Sequence, residues 1–157
     1  MGVSGAGKTL VGRAVAATLG WTFLDADDFH SPSNIAKMRG GTPLEPSDRI
    51  GWLQAMRAAL AEVQHAGGNA VLACSALRRQ FRESLREGLD LRFVYLKADR
   101  ELIRERVSNR TEHFMPASLV DSQFETLEEP DDAIVVDASK SPEAIVREIV
   151  EAAGRPS

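Results

Sequence analysis

The stretch GVSGAGKT at residues 2–9 decides the fold of this chain. It matches the pattern G-x-x-x-x-G-K-[ST], in which glycines let the backbone curl so that successive N–H groups point at phosphate oxygens. Residues 8–19 are rich in helix formers and precede Gly20, so a helix begins inside the motif and adds its positive N-terminal end. We therefore predict a phosphate-binding loop formed by Gly2, Ser4, Gly5, Ala6, Gly7, Lys8 and Thr9.

A loop of this kind binds ATP through charge as well as through backbone N–H groups. We expect Lys8 to reach the β- and γ-phosphates and the Thr9 hydroxyl to bind Mg²⁺. The chain has no guanine-binding N-K-x-D motif, and 157 residues are too few for a motor or AAA-type ATPase. The remaining class of P-loop proteins is the small-molecule and nucleotide kinases. In such a kinase we expect Lys8 to be a catalytic residue.

Outside the loop, short apolar runs alternate with amphipathic stretches, the pattern of an α/β protein. Strands are predicted at 21–25, 70–74, 91–97 and 133–137, and helices at 50–65, 76–87, 99–110 and from residue 141 onward. The apolar runs are continuous, which indicates a parallel sheet with helices on both faces. Residues 111–130 are polar between regular elements, and we expect a mobile segment there.

Length and composition exclude several classes of protein. The 157 residues predict one kinase domain over 1–157 with a small lid at about 111–124. A net charge of −4 gives no basic field for nucleic acid. No apolar run reaches the ~18 residues of a membrane span. Because Cys74 is the single cysteine, an internal disulfide is excluded and a reducing cytoplasm is the expected location.

The predicted strand 21–25 runs into a carboxylate-rich turn that ends at His30. Side chains at the carboxyl end of a parallel strand face the crevice where ligands bind. We expect Asp27 to accept a proton from a substrate hydroxyl, to bind Mg²⁺, or both. Asp27 and its neighbours Asp25 and Asp28 could instead form the turn or cap a helix. His30 either binds a hydroxyl or carboxylate group or has no role in binding.

Two further positions are candidates for binding the acceptor. Arg49 precedes an amphipathic helix, where it can hold an anionic substrate or form an ion pair with Asp48 or Glu45. Ser75 follows the predicted strand 70–74, where it can touch substrate or cap a helix. Three other residues are interpreted mainly as structural or surface residues. Trp52 is expected to pack in the core, with a place in the lining of a sugar site as the alternative, Cys74 is expected to be buried, and His65 is expected to be exposed.

Arg106 and Arg110 lie four residues apart, on one face of the predicted helix that enters the polar segment. We expect both to contact ATP phosphates when the lid closes, the alternative being a solvated helix face. His113, in the same segment, either contacts substrate or lies at the surface. The Asp137–Ser139 turn is a weaker candidate for adenine contact through its backbone.

Several segments together resemble the bacterial thermoresistant-type gluconokinases, small P-loop kinases with the nucleoside-monophosphate-kinase fold. They occur in family order over residues 1 to about 137: MGVSGAGKT, FLDADDFH, NIAKM, GTPL, DR-x-x-WL, CSALRR, LREG, FVYLK, HFMPASLVDSQFETLE and VVD. The resemblance implies phosphorylation of D-gluconate by ATP and Mg²⁺. It also implies acceptor contacts near Asp27, His30, Arg49 and Ser75, a lid around residues 110–123, and a homodimer.

Two alternatives stay open. Shikimate kinases share this plan, but they usually carry a Gly-Gly-Gly turn where this chain has Cys74-Ser75-Ala76. A nucleotide-binding module without transfer activity is the alternative of another class.

A strand normally precedes a phosphate loop and lies in the middle of the sheet. Only Met1 precedes the loop in these 157 residues. We expect roughly 5–12 further residues before Met1, forming an apolar strand. With that strand the sheet would have five parallel strands, four of them within residues 1–157.

Overall fold

The computed structural model describes residues 1–40, 42, 44–109 and 117–154, of which 117–119 by their backbone only. The strands are β1 (Thr22–Asp25), β2 (Ala70–Ala73), β3 (Val94–Lys97) and β4 (Ile134–Asp137). The helices are α1 (Lys8–Leu19), α2 (Pro32–Arg39), α3 (Pro46–His65), α4 (Arg79–Arg86), α5 (Arg100–Ser108), α6 (Ala117–Thr126) and α7 (Pro142–Ala153), and a 3₁₀ turn at Ala26–Phe29 follows β1. The predicted α/β class with parallel strands is confirmed.

The strands form two parallel pairs with a cleft between them. β1 pairs with β2 from Thr22 opposite Ala70 to Asp25 opposite Ala73. β3 pairs with β4 from Val94 opposite Ile134 to Lys97 opposite Asp137. Residues 1–2 bridge the pairs, because the Gly2 N–H donates to the Ser75 carbonyl at 3.1 Å and the Leu96 N–H donates to the Met1 carbonyl at 3.0 Å. The phosphate loop therefore starts between the carboxyl ends of β2 and β3.

Local signals set most helix ends, as predicted. Gly20 ends α1 in the left-handed conformation, with φ 69°. The Asp99 carboxylate caps α5 by accepting from the Leu102 N–H at 2.8 Å, and the Ser141 hydroxyl caps α7 by accepting from the Ala144 N–H at 3.3 Å. Within the described ranges, none of the helices is long and apolar enough to cross a membrane.

Two apolar clusters hold the layers together. One joins α1, α5 and α7 to β3 and β4, through residues that include Val15, Ile103, Val136 and Ile149. The other joins α3 and α4 to β2, through residues that include Met56, Leu60, Cys74 and Leu85. Cys74 is buried and His65 is exposed, as predicted.

Several elements differ from the prediction. α3 begins at Pro46 rather than at residue 50, β3 begins at Val94 rather than at residue 91, and α2 was not predicted. α4 begins at Arg79 rather than at residue 76, because Ala76 takes a φ of 46°, outside the right-handed helical region. The buried Arg82 guanidinium holds this bend by donating to the Ala76 and Leu77 carbonyls, each at 3.0 Å. The polar segment 111–130 contains α6, which the sequence analysis missed, and Val120 in α6 is only 2% exposed.

Candidate active site

The phosphate loop takes its shape from glycines in the left-handed region. Gly2, Gly5 and Gly7 have φ values of 144°, 85° and 95°. A Cβ on Gly2 would lie 2.9 Å from the Leu96 carbonyl oxygen, so a larger residue would push the loop off β3. Gly7 is the N-cap of α1 and no side chain in the described ranges caps it. The first N–H groups of α1 are thus suited to an anion.

Lys8 lies over its own loop. Its ammonium group donates to the Val3 carbonyl at 2.9 Å. This contact holds a positive charge at the mouth of the loop, where the terminal phosphates of a nucleotide bind in P-loop proteins.

The Thr9 hydroxyl and the Asp25 carboxylate meet at the end of the phosphate loop. The Thr9 hydroxyl donates to one Asp25 carboxylate oxygen at 3.0 Å, and the other oxygen accepts from the Asp27 N–H at 3.2 Å. Hydroxyl and carboxylate oxygens suit Mg²⁺, which keeps several waters and phosphate oxygens as its remaining ligands. The sequence predicted Thr9 and Asp27 as metal ligands, and Asp25 is hydrogen-bonded to the hydroxyl of the first and to the backbone N–H of the second.

The Asp27 carboxylate is exposed at the carboxyl end of β1, beside this pair. Asp27 lies in the 3₁₀ turn, which the Asp25 carboxylate caps by accepting from the Asp27 N–H. Because Asp27 is exposed, its carboxylate is a candidate to contact an acceptor hydroxyl.

His30, Trp52 and Phe81 form a stack beside Asp27. The His30 and Trp52 ring centroids are 4.6 Å apart with planes 8° apart, and Trp52 stacks on Phe81 at 5.3 Å. The indole N–H donates to the Ala26 carbonyl at 2.6 Å, which ties the stack to the 3₁₀ turn. Trp52 packs as predicted, and its ring also stacks against His30. Phe81 was missed, because nothing in the sequence relates it to residues 30 and 52.

Burial lowers the pKa of His30 from its usual 6.5, and the nearby Asp27 carboxylate only partly opposes the shift. Within the described part of the chain, nothing hydrogen-bonds the buried His30 Nδ1 atom. The lowered pKa favours the neutral imidazole, which has one donor and one acceptor nitrogen.

Arg49 lies exposed in the first turn of α3. The Asp48 carboxylate, proposed as its ion-pair partner, instead pairs with Lys37 at 2.7 Å. The Lys37 ammonium lowers the pKa of Asp48, together with the Glu45 N–H. The buried Asn34 amide donates to the Asp48 carbonyl at 2.9 Å, which fixes α2 against the start of α3.

Ser75 is half-buried where β2 ends, and its carbonyl receives the Gly2 N–H described above. Arg106 donates to the Ala138 carbonyl at 2.7 Å, so its guanidinium lies at the Asp137–Ser139 turn. Arg110 and His113 lie outside the described residues.

Gln123 on α6 is a site residue that the sequence analysis missed. Its side-chain carbonyl accepts from the Ser4 N–H at 2.6 Å, and its amide nitrogen donates to the Ser4 hydroxyl at 3.1 Å. A signal existed, because Gln123 follows Val120 by three residues and so shares its buried helix face.

The comparisons with known proteins agree with this geometry. A family profile described as shikimate kinase matches residues 4–153. Gluconokinase from Gluconobacter oxydans strain 621H is 44% identical over 154 residues, covering 96% of this chain and 86% of that protein. Thermoresistant gluconokinase from Escherichia coli strain K12 is 42% identical over 156 residues, covering 96% of this chain and 89% of that protein.

A crystal structure of a gluconokinase from Sinorhizobium meliloti 1021 matches with a TM-score of 0.85 at 42% identity, covering 96% of this chain and 87% of that one. The likeness therefore includes the phosphate loop, the carboxylate turn after β1 and the end of β2. This chain belongs to the gluconokinases, P-loop kinases of the shikimate kinase family.

Proposed function

We propose that this protein transfers the γ-phosphoryl group of ATP to the primary hydroxyl of D-gluconate, giving 6-phospho-D-gluconate and ADP. The observation that carries the proposal is the convergence of the phosphate loop, the Thr9–Asp25 pair and the open Asp27 carboxylate at one edge of the sheet. Relatives that are 42–44% identical over 96% of the chain are named gluconokinases, which supports gluconate as the acceptor.

In the transfer, the acceptor oxygen bonds to the γ-phosphorus and the bond to the β–γ bridging oxygen breaks. Asp27 orients the hydroxyl and accepts its proton, while Lys8 and the loop N–H groups neutralise charge on the phosphoryl oxygens. Because this transition state is loose in most analyses, positioning and electrostatics contribute more than the base strength of Asp27.

Thr9 and Asp25 would hold Mg²⁺, and Asp27, whose N–H donates to Asp25, is the third candidate ligand. When bound, the ion neutralises charge on the β- and γ-phosphate oxygens. The donor chemistry of the pair fits the ion, as its hydroxyl and carboxylate are already brought together at 3.0 Å.

The acceptor lies between the β1 turn and the end of β2 in this proposal. Arg49 binds the gluconate carboxylate, and His30, Ser75 and His113 bind hydroxyl groups. The exposed position of Arg49 supports its role, since Asp48 is held by Lys37 and leaves the guanidinium to a ligand. The role of His30 is supported by its position near the Asp27 carboxylate.

We further propose a lid over 111–124, with Arg106 and Arg110 binding ATP phosphates, within one domain over 1–157. The hydrogen bond between Gln123 on α6 and Ser4 supports a lid that contacts the phosphate loop. A homodimer and a cytoplasmic location belong to the same proposal, and they follow from the family resemblance and the single cysteine.

An ADP-coupled assay with gluconate, shikimate and other sugar acids tests the substrate. We expect gluconate to stimulate ADP formation strongly and shikimate to leave it at the background rate. ATP binding with no acceptor-dependent ADP release, in folded protein, would instead support a nucleotide-binding module. Strong stimulation by shikimate would move the assignment to the shikimate kinases.

A further inference from the structure

The chain leaves β2 through a bend at residues 75–77 whose backbone carbonyls are hydrogen-bonded to distant segments. The Ser75 carbonyl accepts from the Gly2 N–H at 3.1 Å, at the start of the phosphate loop. The Leu77 carbonyl accepts from the Glu128 N–H at 2.9 Å, just after the end of α6. The bend therefore joins the phosphate loop to the segment that follows α6, and it carries a candidate acceptor ligand, Ser75.

The Arg82 guanidinium reaches the same bend from α4. Arg82 is only 6% exposed, and one of its terminal nitrogens donates to the Ala76 and Leu77 carbonyls, each at 3.0 Å. A buried cation is unfavourable unless its charge is compensated. Asp132 supplies a negative charge nearby: a hydrogen bond from Arg86 lowers the pKa of its carboxyl, and the Arg82 charge adds to that shift. An apolar side chain avoids this burial of charge, so the property that distinguishes Arg82 is its hydrogen bonding to the bend.

The conformation of Ala76 makes the bend dependent on these hydrogen bonds. Its φ of 46° lies in the left-handed region, which a residue with a Cβ adopts only at a cost in free energy. Its carbonyl is buried where it accepts from Arg82. Loss of the guanidinium would remove that hydrogen bond and favour relaxation of φ toward the right-handed or extended region.

The helix that carries Arg82 also borders the acceptor side of the site. Phe81, the preceding residue, stacks on Trp52, and Trp52 stacks on His30. A shift of the bend relative to α4 would therefore change the distance between Ser75 and this aromatic stack. The N–H groups at the start of α1 would still be available to the nucleotide, so the acceptor geometry depends on the bend more than ATP binding does.

We propose that Arg82 is a positioning residue for phosphoryl transfer, which fixes the bend at residues 75–77 and so sets the distance from Ser75 to the phosphate loop. The proposal rests on the proposed function, in which Ser75 binds the acceptor. Arg82 acts through the backbone carbonyls of Ala76 and Leu77 rather than by contact with a substrate. Because a misplacement of about 1 Å can lower a rate by about 10²-fold, a small movement of this bend has a large effect on turnover.

Arg82→Met tests the role, because methionine keeps an apolar stem and removes the donors. We expect kcat/KM for gluconate to fall by about tenfold or more, while the Kd of ATP stays within about twofold of wild type. Isothermal titration of ATP also counts the folded molecules, which separates a loss of positioning from a loss of stability. Arg86→Met is the matched control on the same helix: it removes the ion pair with Asp132 at 2.6 Å, and its kcat/KM should remain within about twofold of wild type.

Ala76→Gly provides a rescue that a general packing role of Arg82 would not show. Glycine adopts a φ of 46° at little cost, so the bend should depend less on the guanidinium. We expect Ala76→Gly to recover at least about threefold of the kcat/KM that Arg82→Met loses. Arg82→Lys keeps the buried charge on a side chain one atom shorter, so it decides the question if Arg82→Met does not fold. Its kcat/KM should fall by about threefold or more.

Hydrogen exchange gives a readout that needs neither gluconate nor ATP. The Gly2 and Glu128 amides, which donate to carbonyls of the bend, should exchange about tenfold faster in Arg82→Met than in wild type or Arg86→Met. Unchanged exchange at both amides would overturn the proposal. So would an unchanged kcat/KM, an equal loss in Arg86→Met, or no recovery with Ala76→Gly. Faster exchange in Arg82→Met, combined with a wild-type protein that does not phosphorylate gluconate, would support the control of the bend by Arg82 and contradict only the proposed function.

Discussion

Gln123 on α6 and Ser4 in the phosphate loop exchange two hydrogen bonds across 119 residues of sequence, one of them from the Ser4 N–H at 2.6 Å. The Gln123 carbonyl oxygen thus accepts from a loop N–H in the manner of a phosphate oxygen. This contact couples α6, most of which lies within the proposed lid, to the phosphate loop.

Gln123→Glu tests that coupling, because it keeps the shape and adds a negative charge beside the phosphates. We expect ATP affinity to fall by about tenfold, with little change in Tm, since like charges in one site repel. Ser122→Glu adds the same charge at an exposed position of α6 and should leave ATP affinity within about twofold of wild type. Isothermal titration of ATP measures both, and equal losses in the two variants would contradict a specific contact.

Lys8→Ala should lower kcat by about 10²-fold or more while Tm stays within a few degrees, because it removes a charge aimed at the transferring phosphoryl. Lys140→Ala is the matched control, since Lys140 pairs with Glu148 at 2.7 Å on the surface. Its kcat should remain within about twofold of wild type. Wild-type turnover in Lys8→Ala would mean that the motif serves only as a turn.

The three carboxylates after β1 offer a matched series. Asp27→Asn should reduce kcat by about 10²-fold with little effect on ATP affinity, because we propose that Asp27 orients the acceptor hydroxyl. Asp25→Asn should instead raise the Mg²⁺ concentration needed for half-maximal rate, because Asp25 contacts Thr9. Asp28→Asn, exposed in the same turn, should behave as wild type. Steady-state rates over a magnesium series separate these outcomes, and a change confined to ATP affinity in Asp27→Asn would contradict its role.

The lowered pKa of His30 predicts that the stability of the protein depends on pH. Its pKa is lowered in the folded protein, so below the unfolded pKa of 6.5 the unfolded chain binds more protons than the folded one. The free energy of unfolding therefore falls as the pH drops from 6.5 to the pKa of His30 in the folded protein. Above pH 6.5 the contribution of neutral His30 to stability is fully present. Tm measured from pH 5 to 8 should fall less steeply in His30→Gln than in wild type, whereas the exposed His65→Gln should follow wild type. Identical slopes for wild type and His30→Gln would show that His30 is not the group responsible.

ATP and gluconate together should slow hydrogen exchange across 111–124, because phosphoryl transfer requires that water be excluded. α7 (Pro142–Ala153) is an internal reference that neither ligand should affect. The same exchange rates with and without both ligands would contradict a lid in this segment.

Elements controlled by local chemistry were predictable from the sequence. The phosphate loop follows from glycine spacing, since only glycines reach φ values of 85° to 144° at low cost. The ends of α1, α5 and α7 follow from Gly20, Asp99 and Ser141, whose hydrogen bonds span four residues or fewer. The parallel pairing of the strands follows from their continuous apolar composition.

The rest of the site depends on contacts between distant segments. The packing of α1, α3 and α6 against the strands decides three contacts of the site. It brings a carboxylate to Thr9, an aromatic ring to His30 and the Gln123 side chain to Ser4. The bend at the end of β2 also could not be predicted from the sequence. Ala76 has a φ of 46° there, and the buried Arg82 guanidinium, six residues later, stabilises the bend. The sequence alone determined the residues whose geometry is set by their own backbone and near neighbours. Only the tertiary structure decided which side chains meet at the edge of the sheet, because those distances depend on how whole elements pack.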